Sequence, residues 1–159
     1  MKDPNILNET SIRPLQPGDL EKVAFLFDQY RVFYGEVSDY NSALEFLSER
    51  MHENESVVFI AVEPNGVFSG FVQLYPIFSS VKLKRQWLLN DLFVAENFRN
   101  NGLGRKLIDA CKNFCRETNS GGLLLETAKT NISANNLYLN TGFKVQYEQN
   151  FYFWDINGR

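Results

Sequence analysis

Leu88-Leu-Asn-Asp-Leu-Phe-Val-Ala-Glu-Asn-Phe-Arg-Asn-Asn-Gly-Leu-Gly-Arg-Lys106 is the stretch on which the reading of this 159-residue chain turns. Leu88 to Val94 is apolar except for Asn90 and Asp91, the pattern of a mostly buried strand with one polar interruption. Leu103, Leu107, Ala110, Cys111, Phe114 and Cys115 then recur at helical spacing. Arg105, Lys106, Asp109, Lys112, Asn113 and Arg116 take the opposite face. Between strand and helix lies Arg99-Asn100-Asn101-Gly102-Leu103-Gly104. Two glycines at a helix start leave backbone N–H groups bare. Those donors, with the helix dipole, favour an anion such as a phosphate.

Two familiar phosphate loops do not fit this stretch. A Walker loop needs Gly-x-x-x-x-Gly-Lys-Ser/Thr, and no such run exists. A dinucleotide fingerprint needs three glycines directly after the strand, yet Leu107 stands in the third place and seven residues separate Val94 from Gly102. A third pattern, Arg/Gln-x-x-Gly-x-Gly/Ala after a strand and loop, is met at every defined position from Arg99 to Gly104. The hexapeptide alone leaves open a plain glycine-bearing loop ahead of a surface helix.

The whole chain narrows the choice. Its length predicts a single domain over residues 1–159, large enough to bury a core. Hydrophobic residues make up 44% and aromatics 14%, which excludes global disorder. A net charge of −3 argues against a general nucleic-acid binder, which needs basic stripes. No long apolar run occurs and Met1 to Thr10 is polar, so neither a membrane span nor a signal peptide is expected, and the cytoplasm is the default. Cys111 and Cys115, four apart on one apolar helix face, suit buried thiols. The sole histidine, His52, has no Cys or His partner nearby, so no metal site is expected.

In order, Ser11 to Pro14 predicts a first strand, with Asp19 as the N-cap of a helix marked by Leu20, Val23, Ala24, Phe27 and Tyr30. Ala43, Leu44, Phe46, Leu47 and Met51 predict a second helix. Val57 to Val62 predicts a strand, Glu63 to Gly66 a turn, and Val67 to Tyr75 the hairpin partner, ended by Pro76 to Ser80. Val81 to Val94 leads into the central strand. After the Gly102 helix, Leu123 to Thr127 predicts another strand, and Ser133 caps a short helix that closes at Gly142. Phe143 to Glu148 and Phe151 to Ile156 predict a last hairpin. The order is β-α-α-β-β-β-α-β-α-β-β: an α/β chain with a mixed sheet and helices on both faces.

That order, with its Arg-x-x-Gly-x-Gly turn, is similar to the GNAT superfamily of acetyl-CoA-dependent N-acetyltransferases across essentially the whole chain. A second element, Asn131-x-Ser-Ala-x-Asn-Leu-Tyr-x-x-x-Gly-Phe143, resembles the family's Asn-x-x-Ala-x-x-Phe/Leu-Tyr-x-x-x-Gly-Phe signature. The Leu-Asn-Asp-Leu-Phe-Val run locally resembles spermidine/spermine (diamine) N-acetyltransferases, where the corresponding run carries Glu then Asp. Here Asn90 replaces the Glu, and Asp91 keeps the second acid.

The resemblance implies a GNAT fold with splayed central strands and acetyl transfer directly to a primary amine. It implies that backbone amides of Asn100, Asn101, Gly102, Leu103, Gly104 and Arg105, with Arg99, cradle the acetyl-CoA diphosphate. Arg105 and Lys106 are candidates for the 3′-phosphate. Leu92, Phe93 and Val94 would offer the strand edge for the pantetheine arm and an amide for the thioester carbonyl. Asp91 is the first candidate to hold the ammonium and relay its proton, with Asn90 orienting water and Glu126 a weaker acid. Tyr138 matches the general acid for the thiolate, and Asn131 and Asn135 are cofactor candidates.

The acceptor site is expected in Gln29 to Tyr40, where Tyr30, Phe33, Tyr34, Glu36 and Asp39 make an aromatic and acidic set suited to an ammonium. A polyamine, a diamine or an amino-acid derivative is the expected acceptor. A protein lysine or N-terminal amine, and a non-catalytic acyl-CoA sensor, are the alternatives. The aromatic final hairpin suggests a homodimer.

Overall fold

The structure is a computed structural model that describes residues 9–158. The polar start of the chain up to Asn8 lies outside the described residues. The chain forms two compact units, one running to Glu126 and one starting at Thr127.

The first unit holds strand β1 (Ser11–Pro14), helices α1 (Leu20–Phe33) and α2 (Tyr40–His52), strands β2 (Val57–Val62), β3 (Phe68–Ser79) and β4 (Lys84–Val94), helix α3 (Leu103–Glu117) and strand β5 (Leu123–Leu125). The sheet order is β1-β2-β3-β4-β5. Every neighbour is antiparallel except β4 and β5, which run parallel. This is the mixed α/β architecture the sequence predicts, and its parallel pair is bridged by α3 as a crossover must be.

Helices α1 and α2 cover one face. Val23, Ala24, Leu26 and Phe27 of α1 and Ala43 and Leu47 of α2 form one core with Val58, Ile60, Phe68, Phe71 and Phe93. Helix α3 covers the other face, where Phe114 packs its ring against Phe59 at 5.7 Å and Trp87 at 5.0 Å. Leu107, Ile108 and Cys111 are fully buried there.

Strand β3 runs past the proline expected to end it. Pro76 pairs with Trp87, whose N–H donates away from β3, to the Gly122 carbonyl at 3.0 Å. The pair is therefore one that exchanges no hydrogen bonds, so the N–H that proline lacks is not missed. Strand β4 correspondingly begins at Lys84, so Val81 to Leu83 form only the turn between the strands.

One residue alters β4. Gln73 pairs with Asp91 while Leu74 pairs with Leu89, which leaves Asn90 as a bulge. Trp87 and Leu89 thus face α3, whereas Asp91 and Phe93 face α1 and α2. The parallel pairing with β5 covers Trp87 to Leu89, so beyond the bulge β4 has no β5 partner.

The second unit holds α4 (Ile132–Asn140). Its N-cap is Asn131, which accepts from the Ala134 N–H at 3.2 Å, two residues before the expected Ser133. The expected final hairpin is corrected: residues 143–158 run as turns and irregular chain. Phe143 N–H returns to the Tyr138 carbonyl at 3.1 Å, and Gly158 N–H bonds to Asp155 at 3.0 Å. Aromatic content gives strand propensity, but a two-stranded ribbon alone is marginal, and here the backbone closes local turns instead.

Candidate functional site

Below β4 the chain makes a single 3-10 turn, Glu96–Phe98, and enters α3 through Asn100 and Gly102. Gly102 sits at φ +76° and Asn100 at +63°, both left-handed, which turns the chain sharply into the helix. The first ladder bond recorded for α3 runs from Lys106 N–H to the Gly102 carbonyl at 3.1 Å. The amides ahead of it lie outside the i→i−4 ladder, as at every helix start, and they carry the positive end of the dipole. A Cβ on Gly102 would meet nothing within 4 Å, so the glycine is required by conformation, and space is left on that side. An anion is the chemistry this turn fits.

Arg99 reaches back to the strand that precedes it. Its Nε donates to the Val94 carbonyl at 2.9 Å, and its guanidinium lies 5.3 Å from the Phe33 ring and 5.6 Å from the Phe93 ring. It ties the loop back to β4 and to the end of α1. Lys106 and Arg105 are exposed on the first turn of α3.

On the α1–α2 face, Asp91 is 5% exposed. Its Oδ1 accepts from Asn90 Nδ2 at 3.1 Å and its Oδ2 from Gln73 Nε2 at 2.9 Å. Each oxygen of this buried carboxylate is thus met by an amide donor in an otherwise apolar layer. Gln73 also donates to Tyr75 Oη at 3.0 Å. Neither Gln73 nor Tyr75 was expected from sequence. The only trace was an amide inside the apolar run Phe71-Val-Gln-Leu-Tyr75.

Tyr30, an acceptor candidate, is half-buried among aromatic rings, 5.9 Å from Phe71, 6.1 Å from Phe93 and 5.0 Å from Tyr34. It therefore shares the sheet face of Asp91 and also serves the core. Tyr34 and Glu36 are exposed in the loop after α1, and Phe33 lies under Arg99. Asp39 caps α2, accepting from the Ser42 N–H at 3.0 Å.

That loop is held by Asp28, a residue the sequence reading passed over. Its buried carboxylate accepts from Ser38 Oγ at 2.5 Å, the Asp39 N–H at 2.8 Å and Arg31 at 3.2 Å. The Ser38 hydroxyl above all holds the Asp28 carboxyl below the usual carboxylate range, with the Asp39 amide and Arg31 adding to it against burial. An acid at i with Ser-Asp at i+10 and i+11 is the faint signal of such a clamp.

Glu126 is exposed one residue beyond β5. In the second unit, Tyr138 is half-buried on α4, its ring 5.7 Å from Phe143. Asn135 Nδ2 donates to the Ala128 and Asn131 carbonyls at 2.9 and 2.7 Å, so Asn131 and Asn135 together build the turn into that helix. Burial pushes the Cys111 thiol up to about 12 and raises Cys115 as well, which suits packing rather than covalent catalysis. His52 is exposed beside Glu53. Among the described residues no group of three or more His, Cys, Asp or Glu side chains is gathered as a metal site.

A five-stranded mixed sheet with a glycine turn leading into α3 is the fold of the acetyltransferases that this chain resembles. Residues 23–143 match the Acetyltransferase (GNAT) family, and the chain belongs to that family. It is 43% identical over 134 residues to an uncharacterized N-acetyltransferase, YhfO, of Bacillus subtilis, covering 84% of this chain and 89% of that one. It is 36% identical over 134 residues to a probable acetyltransferase of Haemophilus influenzae, covering 84% and 90%. A crystal structure of a probable acetyltransferase superposes with a TM-score of 0.88 at 36% identity, covering 92% of this chain and 97% of the other. The protein is an acetyl-transfer enzyme, and its family uses acetyl-CoA as co-substrate.

Proposed function

We propose that this enzyme passes the acetyl group of acetyl-CoA directly to the primary amine of a small molecule, of the polyamine, diamine or amino-acid-derivative kind. The observation that carries the reading is Asp91: a buried carboxylate just past the end of the β4–β5 pairing, facing the α1–α2 side with two amide donors fixing it. An alkylammonium has a pKa near ~10.4 and must lose a proton before it attacks. Asp91 holds that cation and takes the proton directly or through water oriented by Asn90. The C–N bond forms as the thioester C–S bond breaks, and the Tyr138 hydroxyl supplies the proton to sulfur.

Acetyl-CoA supplies the activated acetyl group. The amides from Asn100 to Arg105 receive its diphosphate, and the family resemblance assigns Asn131 and Asn135 to the cofactor as well. Leu92, Phe93 and Val94 offer the pantetheine edge. Arg99 serves by bracing the loop, through its contacts to Val94, Phe33 and Phe93. Tyr30, Tyr34 and Glu36 border the acceptor, with the chain working as one domain in the cytoplasm. The exposed aromatic run Phe151 to Trp154 supports a homodimer.

Initial rates with a panel of primary amines, followed by product mass, test the reading. Asp91→Asn is expected to lower kcat/KM by about 10²–10⁴-fold while acetyl-CoA binding is kept. Acetylation of protein lysines alone, or acetyl-CoA binding with no transfer to any amine, would replace it with a protein-modifying enzyme or an acyl-CoA sensor.

A further inference from the structure

Gln73 is fully buried, and its side-chain amide joins two strands. Nε2 gives one hydrogen to Asp91 Oδ2 at 2.9 Å and the other to Tyr75 Oη at 3.0 Å, while Oε1 has no partner among the described residues. Turning the amide over would satisfy Oε1 but press an oxygen against the Asp91 carboxylate. The charge therefore fixes the orientation. Tyr75 Oη already receives a donor from Gln73, so its own hydrogen is directed elsewhere.

Tyr75 lines a cleft of about 670 Å³ with Phe46, Arg50, Asn54, Glu55 and Pro76, between the end of α2 and β3. Arg50 stacks on the Phe46 ring at 4.7 Å and is paired with Glu49 at 2.7 Å and with Glu55, so its charge is engaged by the protein itself. The Tyr75 phenol is pushed up to about 12, first by burial and then by the Asp91 charge, and stays a donor at neutral pH. With legs of 2.9 and 3.0 Å to a shared nitrogen, Tyr75 Oη and Asp91 Oδ2 stand no more than about 6 Å apart.

Resting on the proposed transfer to a small amine, we propose that this cleft seats the rest of the acceptor and that Tyr75 donates its hydroxyl hydrogen to an acceptor oxygen. The substrate is then an amine with a hydroxyl or carboxylate oxygen a few bonds from its nitrogen: the nitrogen goes to Asp91 and the oxygen to Tyr75. A bare polyamine, cationic along its length, offers this phenol hydrogen nothing to bond.

Diaminopropane, aminopropanol and β-alanine share one chain length and differ at the far end. With acetyl-CoA and the whole protein, kcat/KM is expected to be about tenfold higher for one of the oxygen-bearing probes than for the diamine, the size of effect a single such hydrogen bond gives. Tyr75→Phe, which removes one atom and leaves the ring to pack, is expected to shrink that ratio by about tenfold through KM for the oxygen-bearing probe. Equal or faster acetylation of the diamine by wild type overturns the inference, as does a Tyr75→Phe loss spread evenly over the three probes. Both of those results leave amine acetylation standing. Acetyl-CoA binding with none of the three acetylated sinks this inference and the small-amine reading together.

Discussion

Replacing Gly70 by alanine probes the contact that sets how β3, β4 and α3 meet above the glycine turn. Gly70 pairs with Val94, the last residue of β4. A Cβ there would lie 2.8 Å from the Phe93 carbonyl oxygen and 3.4 Å from both Leu107 Cδ1 and Val94 Cγ2. The side-chain atoms can yield, but the carbonyl belongs to the sheet and cannot rotate away. The strands must part by a few tenths of an ångström. Overpacking of this kind costs about 1–3 kcal/mol, and in a chain of this size each kcal/mol lowers Tm by about 2–4 °C. Gly70→Ala is thus expected to melt about 2–12 °C below wild type. Gly18→Ala is the control, since its Cβ meets nothing within 4 Å and its φ is not left-handed. Circular-dichroism melts of the two variants at one concentration decide the matter. Acetyl-CoA calorimetry then shows whether prying at Val94 weakens the turn's grip. Melting of Gly70→Ala alongside Gly18→Ala would refute the steric reasoning.

Asp28→Ala should cost about 1 kcal/mol, softened by solvent at the loop edge, and raise KM for the amine more than for acetyl-CoA, read by melts and initial rates. Because Asp28 titrates below its ordinary value, its contribution is full above about pH 4 and is lost as pH falls through its native pKa. The variant and wild type should therefore converge in stability at low pH. Tyr138→Phe should cut kcat well beyond any change in acetyl-CoA affinity, and unchanged turnover would remove Tyr138 from the chemistry. Iodoacetamide at neutral pH should label Cys111 far more slowly in the native protein than in urea, as mass spectrometry of the two states will show.

Local signals carried most of the fold. The apolar faces of α1, α2 and α3, the β-branched run of β2 and the glycine turn at Gly102 are fixed by nearest neighbours, and all appear where the pattern places them. What was not legible depends on partners distant in sequence. Pro76 stays in a strand because Trp87 directs its N–H to Gly122, a relation no window around Pro76 contains. Gln73 reads as a stray polar residue until Asp91, eighteen positions on, stands opposite. Asp28 and Gly70 likewise gain meaning from Ser38 and Phe93. Phe143 to Ile156 shows the reverse error, where propensity without a paired edge promised strands.

The placement of Asp91 turns on a single inserted residue. Trp87 and Leu89 face α3, and strict alternation would send Asp91 to that face too, among Leu107, Ile108 and Cys111. A carboxylate there would be buried without donors, which an apolar layer does not tolerate. The bulge at Asn90 lets Asp91 face Gln73 and supplies one of its two donors from the bulged side chain itself. Deleting Asn90 forces a choice: Asp91 enters the α3 core, or Trp87 and Leu89 leave it, because a one-residue slip reverses every side chain on the shifted segment. The first should cost at least about 3 kcal/mol, as for a buried charge left unpaired, and the second about as much through the lost burial of Trp87 and Leu89. By contrast Asn90→Ala, which keeps the residue count and loses only one donor, should fold and bind acetyl-CoA. If the deletion melted with Asn90→Ala, the register of β4 would not be what aims Asp91.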